Sequence, residues 1–198
     1  SSNILVNSAV NWATNNSLSL TANGNIEFNS PVTASFNSII TQSLLNLYYG
    51  QVSATGTGAR LTLPASVTLP AGMTLTQKLG SSGATTDYQV ITSASALQNI
   101  SSGLSGNYAV GANIDMVGVS FTPLESFSGS FEGLGNHIAN LTITDNIDNG
   151  TTSVGLFRDT TATANIHNLG LVNVSVTAID RVGGLVGTNL GTIRNSFV

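Results

Sequence analysis

Cysteine is absent from all 198 residues, which excludes disulfides, thiolate catalysis and cysteine-ligated metal sites. Charge is scarce as well. Asp, Glu, Lys and Arg make up 7% of the chain, against about 25% in an average soluble domain, and Lys78 is the lone lysine. Five scattered cations and a net charge of −4 exclude electrostatic gripping of nucleic acid. Apolar residues come in short bursts, so no segment can form a membrane-spanning helix and no membrane insertion is expected. There is no Gly-x-Ser-x-Gly nucleophile elbow, no phosphate-cradling loop ending in Lys or Arg, and no glycine-rich calcium nonapeptide. No cofactor is expected.

What is present is polar and uncharged. Ser, Thr, Asn and Gly account for 92 residues. Yet 41% of the chain is hydrophobic, enough apolar surface to offset the conformational entropy that leaves polar chains disordered. The length suits one domain of ordinary size. Freedom from cysteine fits an exported chain that must stay unfolded during secretion. Ser1 leads directly into polar sequence, without the basic, apolar and small-residue regions of a signal peptide. That predicts a removed leader or a segment of something larger.

Internal repeats decide the fold class. Ile4-Leu5-Val6-Asn7-Ser8-Ala9-Val10 reappears 22 residues on as Ile26-Glu27-Phe28-Asn29-Ser30-Pro31-Val32, and Asn16-Ser17-Leu18 recurs as Asn37-Ser38-Ile39. Toward the other end, Ile138-Ala139-Asn140-Leu141, Ile166-His167-Asn168-Leu169 and Ile193-Arg194-Asn195-Ser196 recur at spacings of 28 and 27, with Gly155-Leu156-Phe157 matching Gly184-Leu185-Val186. Short aliphatic bursts near residues 4–6, 18–20, 26–28, 45–47, 154–157, 166–171, 174–176 and 185–186 read as strands separated by Asn, Gly, Ser and Asp turns. Repetition every 20 to 28 residues predicts stacked coils of a parallel β-solenoid. Residues one coil apart then stack about 4.8 Å from each other. Ile138, Ile166 and Ile193 are expected to point inward, with Asn140, Asn168 and Asn195 forming one amide ladder and Asn7 and Asn29 starting another. Charge at stacked positions would recur beside itself, which accounts for its scarcity.

The middle breaks this rhythm. Leu61-Thr62-Leu63, Val67-Thr68-Leu69 and Met73-Thr74-Leu75 recur every six residues, with Pro64 and Pro70 after the first two. These read as short strands turning at prolines, not as the hexapeptide helix of acyltransferases. A short helix is predicted near Ser93–Ile100, with Ser93 as cap and Leu97 and Ile100 on one face. The expected organisation is therefore coils of about 22 residues over 1–60, an irregular transition over 61–112, and coils of about 27–28 residues over 113–198.

The run Gly183-Gly184-Leu185-Val186-Gly187-Thr188-Asn189-Leu190-Gly191-Thr192-Ile193-Arg194-Asn195-Ser196 resembles the GLUG repeat of large bacterial surface proteins. Leu104–Asp115, Phe121-Thr122-Pro123-Leu124 and Phe127–Ile138 are similar to the segment that leads into such repeats in filamentous-haemagglutinin-like adhesins of two-partner secretion systems. The resemblance covers nearly the whole chain. It implies an all-β, right-handed parallel β-helix, secreted through a partner outer-membrane transporter and displayed at the bacterial cell surface. The family's secretion domain carries Asn-Pro-Asn motifs, and no Asn-Pro pair occurs here. The chain is thus expected to be a downstream slice of a longer fibre, with strand edges that favour end-to-end association in isolation.

Candidate chemistry is sparse. Glu125, Glu132 and His137 form the densest acid-and-imidazole group, and a β-helix glycosidase would need two opposed carboxylates. These residues read instead as turn decoration, with His167 as an outward side chain, and the resemblance implies a turn or cap role for Glu132, which stands before Gly-Leu-Gly. Asp145-Asn146-Ile147-Asp148-Asn149-Gly150 has a calcium-loop composition, but Ile147 occupies a ligand position and no acid closes the loop. No catalytic, cofactor or metal residues are therefore expected. Asn15, Asn99, Asn140, Asn149 and Asn173 head Asn-x-Ser/Thr sequons and are candidate glycosylation acceptors.

The expected function is a non-enzymatic structural and binding segment of a secreted adhesin, mediating attachment or cell–cell adhesion. Its partner would be a host-cell or matrix glycan or protein receptor, or another copy of itself. Three alternatives stand beside it: a polysaccharide-acting β-helix enzyme, the inert stalk of a contact-dependent toxin, and a self-associating biofilm matrix fibre.

Overall fold

The computed structural model describes residues 2–13, 16–35, 44–145 and 153–198. Among the described residues the chain is all-β, with mostly parallel sheets and one short α-helix, and it divides into two compact units, Ser1–Val90 and Ile91–Val198.

In the first unit the chain visits three sheets in turn and then repeats the circuit. Strands Ile4–Val6, Ile26–Phe28 and Leu61–Thr62 pair in parallel, as do Val10–Ala13, Val32–Ser35 and Val67–Thr68. The third face pairs Leu18–Thr21 with Leu44–Tyr49 and then Thr74–Leu79. Ile4 sits beside Ile26 and Val10 beside Val32, the 22-residue offset expected. Asn29 donates to the Asn7 side-chain carbonyl at 2.9 Å, so this ladder is present. Alternation along each strand directs Ile26, Phe28, Val32, Leu45, Leu47, Val67 and Leu75 inward, all fully buried.

The hexads explain themselves in this frame. Leu61 lies on Ile26 and Val67 on Val32, so each six-residue step moves from one face to the next. Pro64 and Pro70 fall in the corners, where no ladder N–H is needed. Leu61–Leu79 therefore continues the first unit and is not a transition, and the division falls after Val90 instead of across 61–112. Thr85–Ile91 returns antiparallel to Thr74–Leu79 as a hairpin. The unit's 22-residue spacing does not persist either: Ile26 and Leu61 lie 35 residues apart, because longer connections intervene.

The second unit opens on the helix Ala94–Asn99. Ser93 caps it by accepting the Ala96 N–H, and Leu97 with Ile100 of the following 3-10 turn forms its buried face, as the sequence predicts. Asn107–Val110, Ser130–Glu132, Asn165–His167 and Thr192–Arg194 then pair in parallel in that order. A second face stacks Ile114–Asp115, His137–Ala139 and Gly170–Val172. Thr142–Asp145 pairs with Ser175–Ala178, Ser153–Val154 with Arg181–Val182, and Phe157–Thr160 with Val186–Asn189. The match of Gly155-Leu156-Phe157 to Gly184-Leu185-Val186 is thus a real register, with Phe157 beside Val186. The interior is mainly apolar, with Glu132, Asn136, Ser153 and Thr160 buried beside it, and the buried rings of Phe127, Phe131 and Phe157 are in mutual contact at centroid distances of 4.9 to 6.3 Å.

One expected register is wrong. Ile166 and Ile193 do stack, but Ile138 pairs with Leu171 and Ile114, on a different sheet from Ile166. The Asn140–Asn168–Asn195 ladder accordingly splits. Asn195 donates to Asn168 at 3.2 Å, whereas Asn140 receives its bond from Asn173, 33 residues on, at 2.6 Å. The cause is that asparagine corners of like chemistry follow strands of both faces, Asn140 after His137–Ala139 being one of them. Asn168 follows Asn165–His167 and Asn173 follows Gly170–Val172, so an Ile-x-Asn-Leu motif marks a kind of corner and not one position in the circuit. Ile138 and Ile166 are fully buried; Ile193 is 36% exposed.

Candidate functional site

The strongest polar cluster surrounds Glu132, at the end of strand Ser130–Glu132. Its neighbour Phe131 faces the core, yet the Glu132 side chain is also wholly enclosed. Burying a carboxylate without partners is prohibitive, and this one has several. Its Oε1 accepts the Leu134 N–H at 2.8 Å, and the Asn168 amide donates to both oxygens at 3.0 and 3.1 Å. His167, its in-register neighbour, places Nδ1 2.8 Å from Oε2. Burial pushes the His167 pKa down, but the charge and hydrogen bond of Glu132 outweigh it and hold the group above its ordinary value, against a smaller opposing effect of Arg194.

This geometry makes Glu132 a staple across the Gly133-Leu134-Gly135 turn. Leu134 holds a left-handed φ of 55°, a conformation that disfavours branched side chains and needs support. The Leu134 N–H is fixed by the carboxylate, and the Gly133 and Gly135 N–H groups donate to the carbonyls of His167 and Asn168. The expected turn role of Glu132 fits these bonds. His167 is not an outward side chain, however: with 15% of its side chain exposed it lies against Glu132, because the in-register carboxylate beneath supplies a partner. Adjacency across 35 residues gave no local signal of that pair.

The other members of the acid-and-imidazole group go elsewhere. Glu125 forms an exposed ion pair with Arg158. His137 lies on the second face beside Gly170, its backbone N–H bonded to Asn113. Glu125, Glu132 and His137 thus occupy separate settings, each with its own partners. Among the described residues, no three His, Asp or Glu side chains gather as a metal site.

The sequons differ in setting. Asn140 donates to the Asp115 carboxylate at 2.8 Å while accepting from Asn173, so both acceptor candidates are tied into one surface ladder. This ladder lies outside, at a corner. The Asn140 amide and the Val117 N–H together hold the Asp115 pKa below its usual value. Asn99 is exposed at the end of the helix. Asn15 and Asn149 lie outside the described residues, as do Asn37–Ile39 and all of the calcium-like run after Asp145.

No protein-family model matches the chain, and no solved structure matches it. Among curated proteins, halomucin of Haloquadratum walsbyi (strain DSM 16790 / HBSQ001) is 34% identical over 119 residues. That match takes in 55% of this chain and spans 1% of halomucin's own length.

Proposed function

We propose that the chain is a non-enzymatic structural and binding segment of a secreted, surface-displayed adhesin, built as a right-handed parallel β-helix that mediates attachment. The observation that carries this reading is the in-register parallel stacking of strands 22 to 35 residues apart, with aliphatic residues inside and amide ladders at the corners. Such stacking makes a stiff scaffold whose outer surface can vary while its interior is kept. The partial likeness to halomucin supports a surface-associated role. The GLUG-like run supports the adhesin family, and the separate partners of Glu125 and Glu132 support a role without catalysis. Weak contacts repeated along such a surface add by avidity.

The test has two readouts. Antibodies raised against this segment are expected to label intact, unpermeabilised cells of the producing organism, and beads coated with the segment are expected to adhere to cells or matrix. Unlabelled intact cells alongside labelled permeabilised ones would overturn the surface placement. Beads that clump with each other but bind no cell would favour the matrix-fibre alternative. Release of products from polysaccharides, abolished by Glu125→Gln or Glu132→Gln, would favour the enzyme.

A further inference from the structure

We propose that the cleft between the 50–60 loop and the Asn23–Asn25 turn binds a neutral oligosaccharide; the inference rests on the attachment reading and names where, and with what chemistry, attachment occurs. The first circuit passes from Leu18–Thr21 to Ile26–Phe28 through residues 22–25 alone. The equivalent connection in the next circuit, from Leu44–Tyr49 to Leu61–Thr62, takes residues 50–60. Long connections in compact folds are commonly functional.

This one is held rigidly. Gly50 and Gln51 donate to the carbonyls of Gly24 and Ala22 at 2.8 and 3.1 Å, and Ser81 and Ser82 donate to those of Ser53 and Ala54 at 2.9 and 3.1 Å. Gly50 and Gly56 have φ of 67° and 64° and pack on each other so closely that a Cβ on Gly50 would stand 2.8 Å from the Gly56 Cα. The loop is thus fixed before any ligand arrives, which lowers the entropy lost on binding.

The cleft it encloses is about 300 Å³, at the small end of ligand sites. Asn3, Asn23, Asn25, Val52, Ser53 and Thr57 line it, and among the described residues no charged or aromatic side chain does. The Asn3 side-chain Oδ1 accepts the Asn25 backbone N–H and the Asn25 side-chain Oδ1 accepts the Arg60 backbone N–H, both at 2.9 Å. These bonds orient two stacked amides, about 4.8 Å apart by strand spacing, and leave their NH2 groups to donate. Ser53 Oγ accepts the Gly56 N–H, so its hydroxyl hydrogen is also available. Without a cation the cleft has nothing to draw a carboxylate, phosphate or sulfate. Without an acid it has nothing to draw a metal, and Val52 and Ala59 offer too little apolar surface for a peptide side chain. Sugar hydroxyls, which both donate and accept, match what remains.

The experiment titrates the ¹⁵N-labelled protein with mannotetraose, cellotetraose and a chitin tetramer, and with a sulfated tetrasaccharide for comparison. At least one neutral probe is expected to shift the Asn23, Asn25 and Thr57 signals saturably. Asn23→Ala with Thr57→Val, which removes two polar side chains of the cleft, leaves the Asn3–Asn25–Arg60 column intact and costs the loop only the exposed Thr55–Thr57 hydroxyl bond, is expected to weaken that binding by about tenfold, the loss of two modest hydrogen bonds. Silence of these signals toward every neutral probe, equal binding by the double variant, or tighter binding of the sulfated probe overturns the proposal. Bead adhesion measured on the same two proteins separates the layers. Adhesion that the double variant keeps overturns the cleft and leaves the attachment reading standing, whereas an unmodified protein that binds the sugar but no cell overturns attachment alone.

Discussion

Asn140, Asn168, Asn173 and Asn195 hold φ between 50° and 58°, the left-handed region that costs other L-residues about 1–2 kcal/mol. Asparagine tolerates it and also brings an amide that bonds along the stack. The two roles can be separated at Asn140, which joins Asp115 below to Asn173 above. Asn140→Gly keeps the corner and loses the ladder; Asn140→Ala loses both. Urea denaturation is expected to show the alanine variant less stable than the glycine variant by about 1 kcal/mol. In either variant the Asp115 pKa, followed by NMR, is expected to rise toward its ordinary value, because its principal hydrogen bond is gone. An unmoved Asp115 would mean that the ladder does not exist in solution. These asparagines also show what is legible in the sequence. Their recurrence reveals corners and stacking correctly, since both follow from local chemistry. Which corner lies on which depends on connection lengths that local chemistry does not encode, so the motif aligns Asn140 with Asn168 although its partner is Asn173.

Between strands, the Glu132 turn is the most constrained element. A Cβ on Gly133 would stand 2.1 Å from the Asn168 carbonyl oxygen and 2.5 Å from the Leu169 Cα, both backbone atoms of the next circuit. Gly133→Ala must therefore push the stacked turns apart, and a loss of about 3 kcal/mol or more is expected in chemical denaturation. The Glu132–His167 pair adds a pH dependence. His167 is held above its ordinary pKa of 6.5, so the native state binds its proton more tightly than the unfolded chain does. Its stabilisation is complete below pH 6.5 and is lost as pH rises through the native-state value. Thermal unfolding of the parent chain is expected to show this decline, and His167→Gln to remove it; an identical profile in both would exclude the pair as its source. The turn role of Glu132 is legible only through the resemblance that its Glu-Gly-Leu-Gly run carries, whereas the three hexads are legible from their period. The partnership with His167 is not, because a stacked neighbour 35 residues away is specified by register alone. Deeper in, Phe131 is fully buried and touches both Phe127 and Phe157. Phe131→Ala is expected to cost about 3–5 kcal/mol, read as a lowered urea midpoint.

At the scale of the whole molecule, scarcity of charge becomes a property with consequences. Stability here rests on apolar burial and on backbone and amide hydrogen bonds that recur from circuit to circuit, with 7% of residues charged. The Glu125–Arg158 ion pair is exposed, and such pairs contribute about 0–1 kcal/mol before screening. The Glu132–His167 pair is enclosed, where salt screens poorly. Raising NaCl from about 0.05 to about 1 M shortens the screening length from about 14 to about 3 Å, which would unsettle a fold held by surface charge. Here the expected change in unfolding free energy is below about 0.5 kcal/mol, since little surface Coulomb energy is available to be lost. A surface protein built this way would keep its shape across large swings of external salinity without the dense acidic surface that otherwise keeps chains soluble. Urea unfolding at the two salt concentrations checks it. A shift of several kcal/mol would show that the few charged residues act together over long range, and that the amide ladders and apolar interior are not what holds the stack.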